Sequence, residues 1–150
     1  MKINFPVKLL GSGFFTGYMP FITGTFGSLA GLIIYSIPGF ETSWIISIAI
    51  ILFFVIGIYA GTIFEREYGK DPSQCTIDEI VGMWITLFLL PKTILISLTA
   101  FIIWRLLDII KPFPAARLEH LPGGLGVMMD DVMAGIYSCL IMHLGLYIFN

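Results

Sequence analysis

The chain is built from apolar runs separated by short polar segments, and these runs predict its architecture. None of them alternates strictly between apolar and polar residues as a half-buried strand does, so we expect helices throughout. A helix that crosses a bilayer needs about 20 residues, and the first and third runs are shorter than that. The five apolar runs cover residues 26–37, 44–64, 80–90, 93–110 and 131–149.

The composition of the chain indicates that these helices are surrounded by lipid rather than by water. Of the 150 residues, 57% are hydrophobic and 12% are charged, whereas soluble domains carry about 25% charged residues. We therefore predict one domain over residues 1–150, an all-α integral membrane bundle of four to five membrane segments. The short first and third segments are expected to be tilted or re-entrant. Residues 1–23 are rich in glycine and are expected to lie at the interface, retained rather than cleaved as a signal peptide.

Charge placement predicts the topology of this bundle. With the N-terminus in the cytoplasm, the regions 1–25, 65–79 and 105–131 hold seven of the eight basic residues, all but Lys92. Positive charge in short loops favours the cytoplasm. The same orientation gathers nine of the ten acids, all but Glu41, although acids do little to set orientation. We therefore expect a polar site at the cytoplasmic face. The net charge of −2 and the lack of a basic run argue against a nucleic-acid partner.

Two pairs of adjacent acids are candidate metal ligands. Asp130 and Asp131 follow a glycine-rich stretch, which we interpret as a flexible loop, and precede the last apolar run. Carboxylates are preferred ligands of hard cations such as Mg²⁺, whereas capping of the helix start would explain one aspartate but not two. Asp78 and Glu79 precede the third run. There Thr76 and Glu79 also fit a capping box, so metal binding and capping both remain open.

Two further groups are candidates for binding phosphate. Arg105, Asp108 and Lys111 are spaced by three residues and share one helical face. They form either a phosphate clamp or an internal salt bridge with a lysine that reaches the interface. The stretch GTFGS at 24–28 offers Thr25 and Ser28 at a helix start, which is typical of an anion site but also of close helix packing. His120 could donate to a phosphate, although most lone histidines are not catalytic. His143 is interpreted as structural, and the two cysteines predict no disulfide.

Four stretches taken together resemble the phosphatidylglycerophosphatase A family, in that family's order and spacing and over most of the chain. One departure is Thr23, where the family usually has proline. The resemblance implies an all-helical fold with a central helix surrounded by others. It also implies Mg²⁺-dependent removal of the terminal phosphate of phosphatidylglycerophosphate at a bacterial inner membrane, giving phosphatidylglycerol. The stretches are GTFGS at 24–28, DEIVGMWITL at 78–87, RLLDIIKPFP at 105–114 and GGLGVMMDDVMAG at 123–135.

The same resemblance suggests a role for each candidate residue. Arg105 and Lys111 would hold phosphate oxygens, which Thr25 and Ser28 would orient, and Asp108 would be a ligand or a neighbour of the ligands. We expect water to attack the phosphoryl group directly, with a phosphoaspartate route left open. The partners are the lipid substrate and the bilayer, and no oligomer is predicted. Four carboxylates would hold one or two Mg²⁺ ions: Asp78, Glu79, Asp130 and Asp131.

Two other functional classes are compatible with the same residues. A small transporter with an acidic cation path would spread charge through the depth of the membrane. Instead, apart from its opening Asp131, the fifth apolar run carries no acid, lysine or arginine, and the second run carries none at all. A lipid headgroup phosphotransferase would use the same ions but need an alcohol or nucleotide as co-substrate.

Overall fold

The predicted all-α architecture is confirmed in a computed structural model, which describes residues 3–149. This part of the chain contains no strand. Lys2, which we assigned to the cytoplasmic side, lies outside the described residues. A 3₁₀ turn at Thr16–Tyr18 separates the first two of the helices, which are α1 Phe5–Gly11, α2 Thr23–Tyr35, α3 Ser43–Tyr68, α4 Ile77–Thr86, α5 Ile94–Ile110, α6 Ala115–Leu118 and α7 Gly124–Phe149.

Helix α4 lies at the centre of the bundle, with α2, α3, α5 and α7 packed around it. Eight of its ten residues are buried, as expected of a helix that is apolar on most sides. The indole N–H of Trp84 donates to the carbonyl oxygen of Gly31 at 2.9 Å, which ties α4 to α2. At a rise of about 1.5 Å per residue the helix is only about 15 Å long, so it is too short to cross a bilayer on its own.

Two helices in the described chain are long and apolar enough to cross a membrane. These are α3 and α7, each of 26 residues. Both expose large apolar side chains, such as Ile51 of α3 and Leu140 of α7, which indicates contact with lipid. Helices α2 and α5 are shorter, at 13 and 17 residues. The structure thus indicates a membrane protein, and the number of four to five membrane segments stays a prediction.

The predicted start of the last helix was wrong. Helix α7 begins at Gly124 rather than near Asp131, so the stretch before the two aspartates is helical and not a flexible loop. A Cβ atom at Gly124 would collide with the carbonyl oxygen of Ile58, and its N–H donates to Thr62 Oγ1 at 2.9 Å. The glycine therefore permits close packing of α7 on α3. Because Asp130 lies well inside the helix, N-capping does not explain it.

Helices α2 and α5 connect two chemically different ends of the molecule. At one end the loops before α3 and before α5 are joined by Lys92, whose Nζ lies 2.7 Å from Glu41 Oε2. These are the one base and the one acid that we placed outside the cytoplasm. At the other end α2 begins and α5 finishes, and there the remaining candidate residues gather.

Candidate active site

A cleft of about 300 Å³ contains most of the candidate residues. It is formed by the start of α2, the loop before α4, the start of α4, the end of α5 and the early turns of α7. Six carboxylates face only two basic side chains there, so binding an anionic substrate requires additional positive charge. The charged residues that line the cleft are Asp71, Asp78, Glu79, Arg105, Asp108, Lys111, Asp130 and Asp131.

Three of these carboxylates form a cluster with the dimensions of a metal site. Oxygens of Asp78, Glu79 and Asp131 all lie within 4.8 Å of one another. Asp78 and Asp131 are only 6% and 3% exposed. In the part of the chain that the structure describes, Asp78 Oδ1, Glu79 Oε2 and Asp131 Oδ2 are buried without a hydrogen-bond partner. Buried oxygens of this kind are costly unless a cation or donor satisfies them, so the cluster fits a hard divalent cation.

The protonation of the α4 pair supports this interpretation. Burial raises the pKa of Asp78 well above its usual range, and the neighbouring Glu79 raises it further. Burial also raises the pKa of Glu79, to about 8, although its hydrogen bond with Asp78 acts in the opposite direction. Without a compensating cation, burial therefore favours the protonated form of these two carboxyls more than it is favoured in an exposed carboxyl. A bound cation would displace the protons, because ligand carboxylates must be deprotonated.

The capping box that we considered for Thr76 and Glu79 is not formed. Thr76 occupies the N-cap position of α4, but its side chain makes no capping hydrogen bond. Its Oγ1 lies 2.8 Å from Thr16 Oγ1 instead, and its N–H donates to the carbonyl oxygen of Gly11. Capping therefore does not account for Glu79, whose carboxylate lines the cleft.

The two adjacent aspartates of α7 have different partners. Asp130 Oδ2 accepts a hydrogen bond of 2.9 Å from Lys111 Nζ, whereas Asp131 belongs to the acidic cluster. Lys111 also donates to Glu119 at 2.9 Å and lies 3.9 Å from Asp71. Burial disfavours its ammonium group, but the hydrogen bonds to Asp130 and Glu119 outweigh burial and raise its pKa above the usual value.

Asp71 and Glu119 are the site residues that sequence reasoning missed. Asp71 lies in the loop before α4 and lines the cleft, whereas Glu119 directly follows α6. No spacing rule relates either of them to Lys111. Their one available signal was the excess of acids on the predicted cytoplasmic side. Together with Asp130 they surround the ammonium group of Lys111 with three carboxylates.

Arg105 forms an ion pair with Asp108, with Nη1 2.6 Å from Oδ2. The internal salt bridge that we considered is therefore present, and both side chains still line the cleft. The guanidinium group also lies against Gly24, where a Cβ atom would be 3.1 Å from Nη1 and 2.8 Å from Glu79 Oε1. Arg105 thus adjoins the start of α2, whose first amides have no acceptor within the helix. Together they make a positively polarised wall.

Thr25 and Ser28 do not line this cleft. Ser28 is fully buried, and its hydroxyl donates to the carbonyl oxygen of Gly24 at 2.6 Å. The residues of α2 that do line the cleft are Thr23 and Gly24. The predicted contact of Thr25 and Ser28 with phosphate stays a prediction, and the structure offers the first two residues of the helix as nearer candidates.

Comparison with known proteins identifies the family. The family model for phosphatidylglycerophosphatase A matches residues 9–146. The chain belongs to this family. Proteins named phosphatidylglycerophosphatase A from Escherichia coli K12 and Haemophilus influenzae Rd are 35% and 36% identical to it. The matches cover 95% and 91% of this chain and 85% and 86% of the relatives. The resemblance based on the four stretches is thereby confirmed.

A third relative has a name that specifies another lipid. This protein from Bacteroides thetaiotaomicron is 37% identical over 147 residues, which cover 93% of this chain and 92% of the relative. It is provisionally named a phosphatidylinositol-3-phosphatase. No solved structure matches the chain.

Proposed function

We propose that this protein hydrolyses the terminal phosphomonoester of phosphatidylglycerophosphate to phosphatidylglycerol and phosphate, with Mg²⁺ as cofactor. Family membership supports the reaction. The observation that supports the cofactor is the cluster of Asp78, Glu79 and Asp131, in which each carboxylate has one buried oxygen without a hydrogen-bond partner in the described chain. Carboxylate oxygens are the ligands that Mg²⁺ prefers, usually together with substrate phosphate.

The residues around this cluster have complementary tasks. Asp78, Glu79 and Asp131 would hold the cation, which when bound supplies Lewis-acid polarisation of the phosphoryl group. Arg105 presents a planar guanidinium group suited to phosphate oxygens, and Asp108 fixes its orientation through the 2.6 Å ion pair. The start of α2 adds backbone N–H groups, which favour anions.

Asp130 and Lys111 act beside the cation ligands rather than among them. Lys111 keeps a positive charge at the cleft because Asp130 and Glu119 hold its ammonium group. Asp130 retains one buried oxygen, Oδ1, without a hydrogen-bond partner in the described chain. It is therefore the carboxylate best placed to accept the proton of an attacking water molecule. Direct attack by water fits this division of roles, and a phosphoaspartate route would draw on the same carboxylate.

The headgroup is tested by comparing two lipids. Two relatives are named for phosphatidylglycerophosphate and one for phosphatidylinositol 3-phosphate, and both lipids carry a phosphomonoester on the headgroup. Purified protein in mixed micelles should release phosphate from phosphatidylglycerophosphate with water as the only acceptor. EDTA should stop the release and Mg²⁺ should restore it. Faster phosphate release from the inositol lipid would show that this lipid, and not phosphatidylglycerophosphate, is the substrate. If neither lipid released phosphate, the proposed phosphatase activity would be rejected.

We also propose that the chain crosses the bacterial cytoplasmic membrane in four to five segments with the cleft facing the cytoplasm. The positions of Lys92 and Glu41 at the end opposite the cleft support this orientation. Cysteines introduced by Ser73→Cys at the cleft and Thr42→Cys at the far end test it. In right-side-out vesicles, an impermeant thiol reagent should label only the second variant. Labelling of the first alone would reverse the orientation.

A further inference from the structure

A second groove lies between the same two helices that flank the cleft. It has a volume of about 440 Å³ and lies between the end of α2 and the start of α5. Its apolar walls include Leu32 and Tyr35 of α2 and Ile94 and Leu98 of α5. The cleft lies between the start of α2 and the end of α5, so the two depressions occupy opposite ends of one seam.

One face of α5 runs from the groove to the cleft. Ile94, Leu98, Phe101 and Arg105 follow one another at steps of four, three and four residues, which places them on a single helical face. At about 1.5 Å per residue, Leu98 lies about 10 Å and Ile94 about 16 Å from Arg105 along the axis. Half of the hydrocarbon thickness of a bilayer is about 15 Å. The seam is therefore long enough to hold the part of an acyl chain that lies in one leaflet.

The outer surface of this seam is apolar and open. Ile94 is 82% exposed and Leu98 50%, and exposure of this kind indicates contact with hydrocarbon rather than water. We propose that the seam between α2 and α5 binds an acyl chain of the substrate lipid while its headgroup occupies the cleft. This inference rests on the proposed function, since it takes the substrate to be the phospholipid hydrolysed there.

The charges at the far end of the groove support a chain rather than a headgroup as the occupant. Lys92 is the basic residue that lines it. Its ammonium group already donates to Glu41 at 2.7 Å and to the carbonyl oxygen of Ile37 at 2.8 Å. A phosphate from the opposite leaflet would have to displace both partners. At its far end the groove is therefore bordered by the ion pair of Lys92 and Glu41, in which the positive charge is already balanced.

Filling the groove with tryptophan tests the seam. Leu98→Trp and Leu32→Trp place bulk in its two walls. Leu95→Trp and Ile33→Trp add the same bulk on neighbouring exposed positions that do not line the groove. The groove variants should lower kcat/KM for dioleoyl phosphatidylglycerophosphate about tenfold or more, mainly through KM, because several methylene contacts are lost. Release from the dihexanoyl lipid should change less than about twofold, since its chains end before the groove.

Equal losses on both lipids, or equal losses in the control variants, would overturn the seam as a chain site. A second readout does not depend on turnover. Dioleoyl-length phosphatidylglycerophosphate with a photoactivatable group in the outer half of one chain should label peptides of α2 and α5, and Leu98→Trp should reduce that labelling. Phosphate release with labelling elsewhere would overturn the seam alone. If neither the dioleoyl nor the dihexanoyl lipid released phosphate, the proposed function would be overturned. The proposal that the substrate's acyl chain occupies the seam would then fall with it.

Discussion

Substitution of Gly24 by alanine should separate activity from stability. The new Cβ atom would lie 2.8 Å from Glu79 Oε1 and 3.1–3.2 Å from the Arg105 guanidinium nitrogens. An ordinary contact is 3.4 Å or more, so the Glu79 carboxylate must move by about 0.6 Å. A displacement of about 1 Å in a catalytic site costs up to about 100-fold in rate. We therefore expect phosphate release to fall by about 10- to 100-fold.

The same substitution should raise the free energy of unfolding or leave it unchanged. The conformation of Gly24 is one that other residues adopt, and alanine in a helix is favoured over glycine by up to about 1 kcal/mol. Phosphate release and thermal unfolding would be measured in the same detergent. Gly145→Ala is a matched control, because a Cβ atom there meets nothing within 4 Å. Normal activity of Gly24→Ala, or a loss explained by unfolding, would refute the geometry.

Three further substitutions examine the charged groups. Asp131→Asn removes a charge from the acidic cluster and should lower phosphate release at least about 100-fold; a smaller loss would exclude Asp131 as a ligand. Lys111→Met leaves the buried Asp130 without its cation and should reduce the free energy of unfolding by about 1–3 kcal/mol, measured by thermal or chemical unfolding. An unchanged Tm would show that this pair contributes little. Lys92→Met breaks the distant pair with Glu41 and should cost less than about 1 kcal/mol. A larger fall in the free energy of unfolding would contradict the treatment of this pair as a partly exposed surface salt bridge.

Apolar runs predicted the helices well because length and hydrophobicity decide where a chain can be helical in lipid. The start of α7 was missed for a physical reason. Glycine is compatible both with a flexible loop and with close helix packing, and only the position of α3 decides between them. Gly124 serves packing against Ile58. The sequence around it contains no residue that distinguishes the two possibilities.

The candidate site was predicted in composition and less well in detail. Of the four carboxylates predicted to hold the cation, the structure brings Asp78, Glu79 and Asp131 within 4.8 Å of one another, and their role as ligands stays a prediction. Adjacent residues on a helix point about 100° apart, and although Asp130 and Asp131 both line the cleft, their carboxylates meet different partners. The rotation of α7 decides which aspartate faces the acidic cluster. Lys111 binds Asp130, which leaves Asp131 as the one in the cluster. Tertiary packing sets both the rotation of α7 and the position of Lys111.

The central claim is that a divalent cation held by Asp78, Glu79 and Asp131 enables hydrolysis of the lipid phosphomonoester. Metal-free protein should be titrated with Mg²⁺ while phosphate release from phosphatidylglycerophosphate is recorded for the wild type and for Asp131→Asn. We predict no release without metal, saturable activation of the wild type, and activation of the variant only at much higher Mg²⁺. Equal release before and after chelation, or identical titration curves for the two proteins, would contradict the account.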